Sequence, residues 1–337
     1  MRCGMMERMS EMTYRTLGRS GLRVSTVGLG CNNFGRPGTA TETQEGTDRV
    51  LHAAIDCGIT LLDGADIYGS TYGRSETMMG QALRGRRDDV VLATKFGHAD
   101  YDSPVPSWGA KGSRRYIRLA VEGSLRRLQT DWIDLYQFHT PDPLTPIEET
   151  LAALHELIDE GKIRYYGHSN FAAWQLVRAD LLAELHHHPR FISTQNEYSL
   201  LVRGADTELL PAAEASGVGL LPYFPLHNGL FTGKFTRAGG PADSRIMRQR
   251  PHLVDNAPWE RVEAYAAFCA DRGVGMLEAT IGWLLSRPSL TSVIAGATSP
   301  QQVVQNAAAA NAWTPDLADL ATIDEFFPPG SGGLTSY

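Results

Sequence analysis

Residues 59–96, ITLLDGADIYGSTYGRSETMMGQALRGRRDDVVLATKF, read as a strand, a helix and a second strand. ITLLDGA (59–65) and VVLATKF (90–96) are short apolar runs of the kind that are buried on both faces of a parallel sheet. The stretch 75–84 between them is amphipathic, so the unit implies a parallel pair joined by a right-handed crossover. The same alternation continues in both directions. TVGLGC (26–31) comes before it; IDLYQFH (133–139), IRYYGHS (163–169), ISTQNEY (192–198), VGLLPYF (218–224) and TSVIAGA (291–297) come after. Amphipathic stretches at 43–57, 113–128, 146–160, 172–185, 206–216, 259–286 (broken near Gly273) and 300–311 fill the intervals. In Ile147, Leu151, Leu154 and Ile158 the helical spacing is explicit, and Gly161 supplies the stop. Eight strands each followed by a helix close a barrel, whereas a doubly wound open sheet rarely needs eight units. The expected fold is therefore α/β, a single (β/α)8 TIM barrel.

Two additions to the barrel are also readable. RTLGRSG (15–21) predicts a small N-terminal β-hairpin turning at Gly18 and Gly21. The Gly- and Pro-rich segments 97–112 and 225–258 follow the third and seventh strands, so both fall on the C-terminal face as lids or binding loops. MRCGMMERMSEM (1–12) reads as a spare or disordered extension with alternative starts at Met9 or Met12, leaving 13–337 as one barrel domain. It holds glutamates and no apolar core, unlike a secretory signal.

Composition narrows the function. The 337 residues are 42 % hydrophobic and 20 % charged, with ample core material for a globular protein. A net charge of −7 argues against a nucleic-acid partner. No window approaches 18 uninterrupted apolar residues, which argues against a membrane partner. Cys3, Cys31, Cys57 and Cys269 have no paired spacing and predict reduced thiols, hence a cytoplasmic setting. His186-His187-His188 ends a helix before Pro189, where histidine suits the helix dipole better than it suggests a metal site, and no metal is expected. Trp132 and Trp283 read as packing residues, and Trp108 as a loop anchor or a substrate wall.

Barrel enzymes carry their reactive groups at the C-terminal ends of strands. Those positions hold Asp63 and Tyr68 after the second strand, Lys95 ending the third and His139 ending the fourth. Each residue alone has an ordinary structural explanation; four at corresponding strand ends point to one site. A phenol titrates near ~10, a nearby ammonium lowers that value, and a carboxylate holds the ammonium. A neutral imidazole can orient a substrate oxygen. The set is equipment for protonating a carbonyl oxygen while a hydride attacks its carbon, which requires a cofactor. Gly28-Leu29-Gly30 lacks the third glycine of a dinucleotide fingerprint. GATSPQQVVQN (296–306) is the better phosphate candidate, because a strand there ends in glycine and small hydroxyl residues and opens a helix at Pro300.

The motifs LLDGADIYGSTYGRSE, VVLATKFG, IDLYQFHTPD, YYGHSNF, TQNEYSLL, YFPLHNGLFTGKF and IAGATSPQQVVQN together resemble the aldo-keto reductase family. The resemblance is to the bacterial branch that is itself similar to the β subunits of potassium channels, and it covers roughly Thr13 to Phe327. It implies the catalytic tetrad Asp63, Tyr68, Lys95 and His139. It implies nicotinamide contacts from Asp63, Ser169, Asn170 and Gln195, with the ring stacked on Tyr223. Phe224, Pro225, Leu226, Lys234 and Arg245 would embrace the diphosphate and adenosine side. Gly296, Thr298, Gln302, Gln305 and Asn306 would hold the adenine ribose, with Cys31 and Asn32 bordering the substrate side. The implied activity is reduction of an aldehyde or ketone by NADP(H), with NAD(H) also admitted and a small carbonyl compound as the partner. The alternative is a cofactor-sensing regulatory subunit like those of the channels; they lack a histidine at the position of His139. A homo-oligomer is left open. The chain departs from the family at Gly64, where Thr or Ser is usual, and at His168, where a small or apolar residue is usual. Phe224 replaces a common Ser, and Gln302 and Gln305 stand where Arg and Glu are frequent.

Overall fold

A computed structural model describes residues 12–242 and 244–334. Residues 1–11 of the expected extension 1–12, Cys3 among them, lie outside the described residues. Met12 is 9 % exposed and joins the core.

The hairpin pairs β1 (Tyr14–Thr16) with β2 (Arg23–Ser25) in antiparallel register. Eight parallel strands follow: β3 (Val27–Gly30), β4 (Leu61–Asp63), β5 (Val91–Phe96), β6 (Ile133–Phe138), β7 (Ile163–Ser169), β8 (Ser193–Gln195), β9 (Gly219–Leu220) and β10 (Val293–Gly296). Their spatial order is β10-β3-β4-β5-β6-β7-β8-β9. Leu220 N donates to Ser289 O at 2.7 Å and Thr291 N to Leu220 O at 2.9 Å, so β9 joins the segment entering β10 and the barrel closes. The (β/α)8 barrel and its hairpin are thus the observed fold. β9 is shorter than the predicted 218–224, although Leu221 N still donates to Thr194 O and Tyr223 N to Asn196 O on either side of Pro222, which has no N–H to give.

The helices ring the strands: α1 (Gln44–Asp56), α2 (Arg74–Ala82), α3 (Arg114–Leu128), α4 (Ile147–Asp159), α5 (Ala173–Leu185) and α6 (Leu209–Ala215). After them come α7 (Arg245–Gln249), α8 (His252–Asp255), α9 (Trp259–Asp271), α10 (Met276–Leu285), α11 (Pro300–Ala309) and α12 (Leu317–Phe326). None of them is long and apolar enough to cross a membrane among the described residues. The predicted loop 225–258 contains α7 and α8, and α12 has no counterpart in the sequence prediction.

Period-two alternation sorts the strand residues into two cores. Outward residues such as Tyr136, Phe138 and Tyr166 pack under the helices. Inward residues Leu61, Ala93, Leu135 and Ile294 fill the barrel, and Leu17 and Val24 of the hairpin plug its N-terminal end. Gly18 makes that plug fit. At φ +53° a Cβ on it would come within 2.3 Å of Ile192 O and 2.7 Å of Gly217 O.

Candidate active site

One layer above this apolar filling, the same inward alternation places Asp63, Lys95, Gln137, Ser169 and Gln195 on the barrel interior, with His139 just past the end of β6. β4, β5 and β6 run in register, Asp63 beside Ala93 and Lys95 beside Gln137. Lys95 Nζ, fully buried, donates to both Asp63 carboxylate oxygens and to Gly64 O, each at 2.8 Å, and to the Tyr68 hydroxyl at 3.4 Å. Gln195 Nε2 and Gln137 Nε2 also donate to Asp63 Oδ1, at 3.0 and 3.3 Å. Gln137 was missed by sequence reasoning, although it shares the inward face with His139 two residues on. The loop after β4 is pinned to β5 by Asp66 N donating to Lys95 O, and Ser75 N holds Tyr68 O.

The Tyr68 and His139 rings meet edge to face with centroids 6.1 Å apart. Burial raises the Tyr68 phenol above its usual value and outweighs the lowering by Lys95. The expectation that the ammonium would draw the phenol down is therefore corrected: the group is held protonated. Burial works against the Lys95 ammonium as well, but Asp63 and Tyr68 outweigh it and Lys95 stays above the ordinary lysine value. Burial, then Lys95 and His98, push His139 well below the usual imidazole range, so its ring is neutral, and its Nδ1 is buried with no hydrogen-bond partner. A half-buried protonated phenol, a fixed ammonium and a neutral imidazole are thus gathered at the C-terminal ends of β4, β5 and β6. His98 stands against His139 at 4.5 Å and Tyr101 against His98 at 4.8 Å.

Beside this opening Ser169 Oγ donates to Gln195 O at 2.6 Å, and Asn170 Nδ2 donates to His139 O at 3.0 Å. Asn170 takes a left-handed φ of 61°, and the Tyr223 hydroxyl donates to its Oδ1 at 2.9 Å. Phe224, also left-handed at φ 51°, lies beneath two guanidiniums, Arg245 at 5.8 Å and Arg250 at 5.2 Å from its ring centre. Pro225 is buried and Leu226 half-buried at the start of the turn 227–232. Arg36, from the loop after β3, donates to Gln249 Oε1. Burial, then Arg36 and Arg250, lower Arg245 to about 10; burial and Arg250 lower Arg36. Arg245 Nε is buried without a partner. Three cations thus repel one another here, a repulsion that a bound anion would relieve. Arg36 and Arg250 were not singled out in the sequence, because only the folded loops bring positions 36 and 250 together.

Ser299 caps α11, its Oγ accepting from Gln302 N at 3.3 Å. Gln302 Oε1 turns back to accept from Thr298 N at 2.7 Å. Gly296 is exposed at the end of β10, Asn306 is buried, and Gln305 and Lys234 are exposed. Cys31 lies inside the core, with its amide on Asp63 O and its thiol on Leu29 O, while Asn32 is half-buried. At Gly64 a Cβ would meet Met79 Sδ at 3.2 Å, so a thioether occupies the space a larger residue would need. His168 points outward, stacked on Phe171 at 4.4 Å, and burial lowers it to about 3. It is an aromatic wall residue outside the site.

The Aldo/keto reductase family pattern matches residues 26–327. The chain belongs to the aldo/keto reductase family. It is 35 % identical over 328 residues to a probable voltage-gated potassium channel subunit beta of Oryza sativa subsp. japonica, covering 91 % of this chain and 95 % of that one. It is 33 % identical to L-glyceraldehyde 3-phosphate reductase of Escherichia coli (strain K12), covering 97 % and 96 %. Aldo-keto reductase YhdN of Bacillus subtilis (strain 168) is 34 % identical over 93 % of this chain and 94 % of its own. This aldo/keto reductase thus has oxidoreductase relatives along nearly its whole length.

His188 of the histidine tract and the three tryptophans read from the sequence are also placed. His155 Nδ1 and His188 Nδ1 lie 2.8 Å apart, and no group of three His, Cys, Asp or Glu residues among the described residues is arranged to hold a metal. Trp283 is fully buried, Trp132 lies between Arg87 and Arg164, and Trp108 is 81 % exposed against Arg115.

Proposed function

We propose that this aldo/keto reductase reduces the carbonyl of an aldehyde or ketone to an alcohol, using NADP(H) in preference to NAD(H). The carrying observation is a half-buried phenol, held protonated, next to an ion-paired ammonium and a neutral imidazole at the C-terminal ends of neighbouring strands. A dinucleotide fits the donors present: the unpartnered Arg245 Nε and the Arg36, Arg245 and Arg250 cluster suit its phosphates, and the capped start of α11 suits its ribose end. Ser169, Asn170, Gln195 and the Tyr223 ring would hold the nicotinamide, which when bound supplies a hydride to the carbonyl carbon.

The chain's own residues do the rest. Tyr68 gives its proton to the carbonyl oxygen, and the Lys95 charge stabilises the phenolate left behind. Asp63 keeps Lys95 in place, and His139 directs the carbonyl oxygen toward Tyr68. The other reading, a cofactor-sensing subunit without turnover, draws on the channel-subunit relatives; the neutral imidazole beside Tyr68 favours turnover.

The test is a panel of aldehydes and ketones with NADPH and then NADH, followed by loss of reduced-nicotinamide absorbance. Tyr68→Phe should leave cofactor binding intact and lower kcat by roughly 10²–10⁴. Unaltered turnover in that variant sinks the assignment of the proton donor.

A further inference from the structure

Helix α5 carries large apolar side chains on its solvent side. The face turned to the barrel holds Ala173, Leu176, Ala179, Asp180 and Ala183, three of them alanines. Trp174, Val177, Leu181 and Leu185 lie on the opposite face. They are spaced three, four and four residues apart and so form one stripe along the helix. Trp174 is 63 % exposed, Leu181 60 %, Leu185 69 % and Val177 38 %. A single exposed leucine needs no explanation, but a contiguous stripe does. A helix that is apolar on both faces is ordinarily covered on both. Such is α10, in which 279–285 are buried throughout.

The stripe continues beyond the helix. Leu144, 65 % exposed on the loop after β6, lines a hollow together with Trp174, Phe138 and Phe171. The exposed apolar surface gathered on this side is on the order of 500 Å². A stable interface buries about 800 Å² on each partner, roughly 60 % of it apolar, which asks for about the same apolar area.

We propose that this face is the interface of a homodimer in which α5 packs antiparallel on the α5 of a second copy, with the two-fold axis at Leu181.

The face is complementary to itself in that arrangement. A two-fold at Leu181 sets each residue before it level with the residue equally far after it on the other copy. Val177 then meets Leu185, Arg178 is level with Glu184, and Trp174 lies over the turn at 186–188, where His186 and His187 are exposed. A parallel pairing would instead set Arg178 on Arg178 and Glu184 on Glu184. Both charged side chains are open to solvent, at 54 % and 66 %. Their partners within the chain are distant, Glu148 at 3.6 Å from Arg178 and Arg190 at 3.7 Å from Glu184. A membrane surface fits less well, because the chain has a net charge of −7 and acidic Glu148 and Glu184 flank the stripe.

Association through this face requires no turnover, so the full chain is tested without substrate. At about 10 µM it should sediment as two copies or an even multiple of two. Leu181→Glu sets two carboxylates together on the axis and should halve that mass, with the far-ultraviolet circular dichroism unchanged. A residue on the axis meets its own copy. Leu181→Cys should therefore form a disulfide-linked dimer under mild oxidation, whereas Trp174→Cys, about 21 Å along the helix from its counterpart, should not. The unmodified chain, oxidised alongside, should remain unlinked. Sedimentation of the unmodified protein as one copy overturns the proposal. So does a mass that survives Leu181→Glu, or a link that forms through Trp174→Cys and not through Leu181→Cys.

Discussion

Lys95 Nζ lies 2.8 Å from each carboxylate oxygen of Asp63, and both side chains are essentially excluded from water, at 0 % and 4 % exposure. Such a pair is costly to break from one side, because a lone buried charge is left behind. Asp63→Asn should destabilise the fold by about 3–5 kcal/mol. Adding Lys95→Met removes the orphaned ammonium, so the double variant should be more stable than Asp63→Asn alone. Chemical denaturation of the three proteins decides this; a double variant less stable than the single would refute it. Both variants should be inactive as reductases.

We expect cofactor choice to turn on Arg245, whose guanidinium is lowered to about 10 by burial and by Arg36 and Arg250. A 2′-phosphate relieves that repulsion, and each charge-assisted bond contributes about 1.5–3 kcal/mol, roughly ten- to a hundredfold in affinity. NADPH should therefore bind more tightly than NADH. Arg245→Ala should weaken NADPH much more than NADH, and added salt should narrow the difference. Fluorescence titration of both cofactors against both proteins measures it, and equal losses would show that this arginine does not read the phosphate.

His168 should govern part of the acid sensitivity. The folded protein keeps this ring neutral down to about 3, whereas the unfolded chain protonates it near 6.5. Between those values the unfolded state holds more protons, so stability falls as pH falls through the window. His168→Phe preserves the stack on Phe171 and removes the titration. Its melting temperature should decline less steeply from pH 6.5 toward 3 than that of the unmodified protein, a difference on the order of a few kcal/mol at the acid end.

Arg203, 1 % exposed, donates to Asp206 Oδ2 and Asp324 Oδ1 and to the carbonyl of Phe327, each at 2.6 Å. It fastens α12 to the turn after β8. Arg203→Met leaves Asp206 without its cation and Asp324 with Arg287 alone, at 3.6 Å, and a loss of about 3–5 kcal/mol is expected. Amide exchange across Leu317–Phe326 should accelerate first, and unchanged protection there would contradict the role.

The barrel was readable because its strands are apolar runs separated by clear helical spacing, and the Asp63, Tyr68, Lys95 and His139 positions follow from strand ends alone. The short helices escaped for a physical reason. α7 and α8 span five and four residues, less than two turns, so no periodicity can build up. α12 did carry a signal, the Asp316 and Asp319 capping box, in a segment whose other residues are mixed in polarity. The outward side of His168 was legible from alternation with Ser169, yet its neutrality depends on burial that no local pattern reports. The upward shift of Tyr68 was missed likewise, since residue types reveal the ammonium but not the depth at which it sits.

The hairpin plug at the N-terminal end binds distant parts of the chain to one another. Leu17 and Val24 pack with Leu61, Ala93, Leu135 and Ile294, and Gly18 lies against Ile192 and Gly217. The seat of this cap is assembled from residues spread between positions 61 and 294, so the cap and the closed barrel require one another.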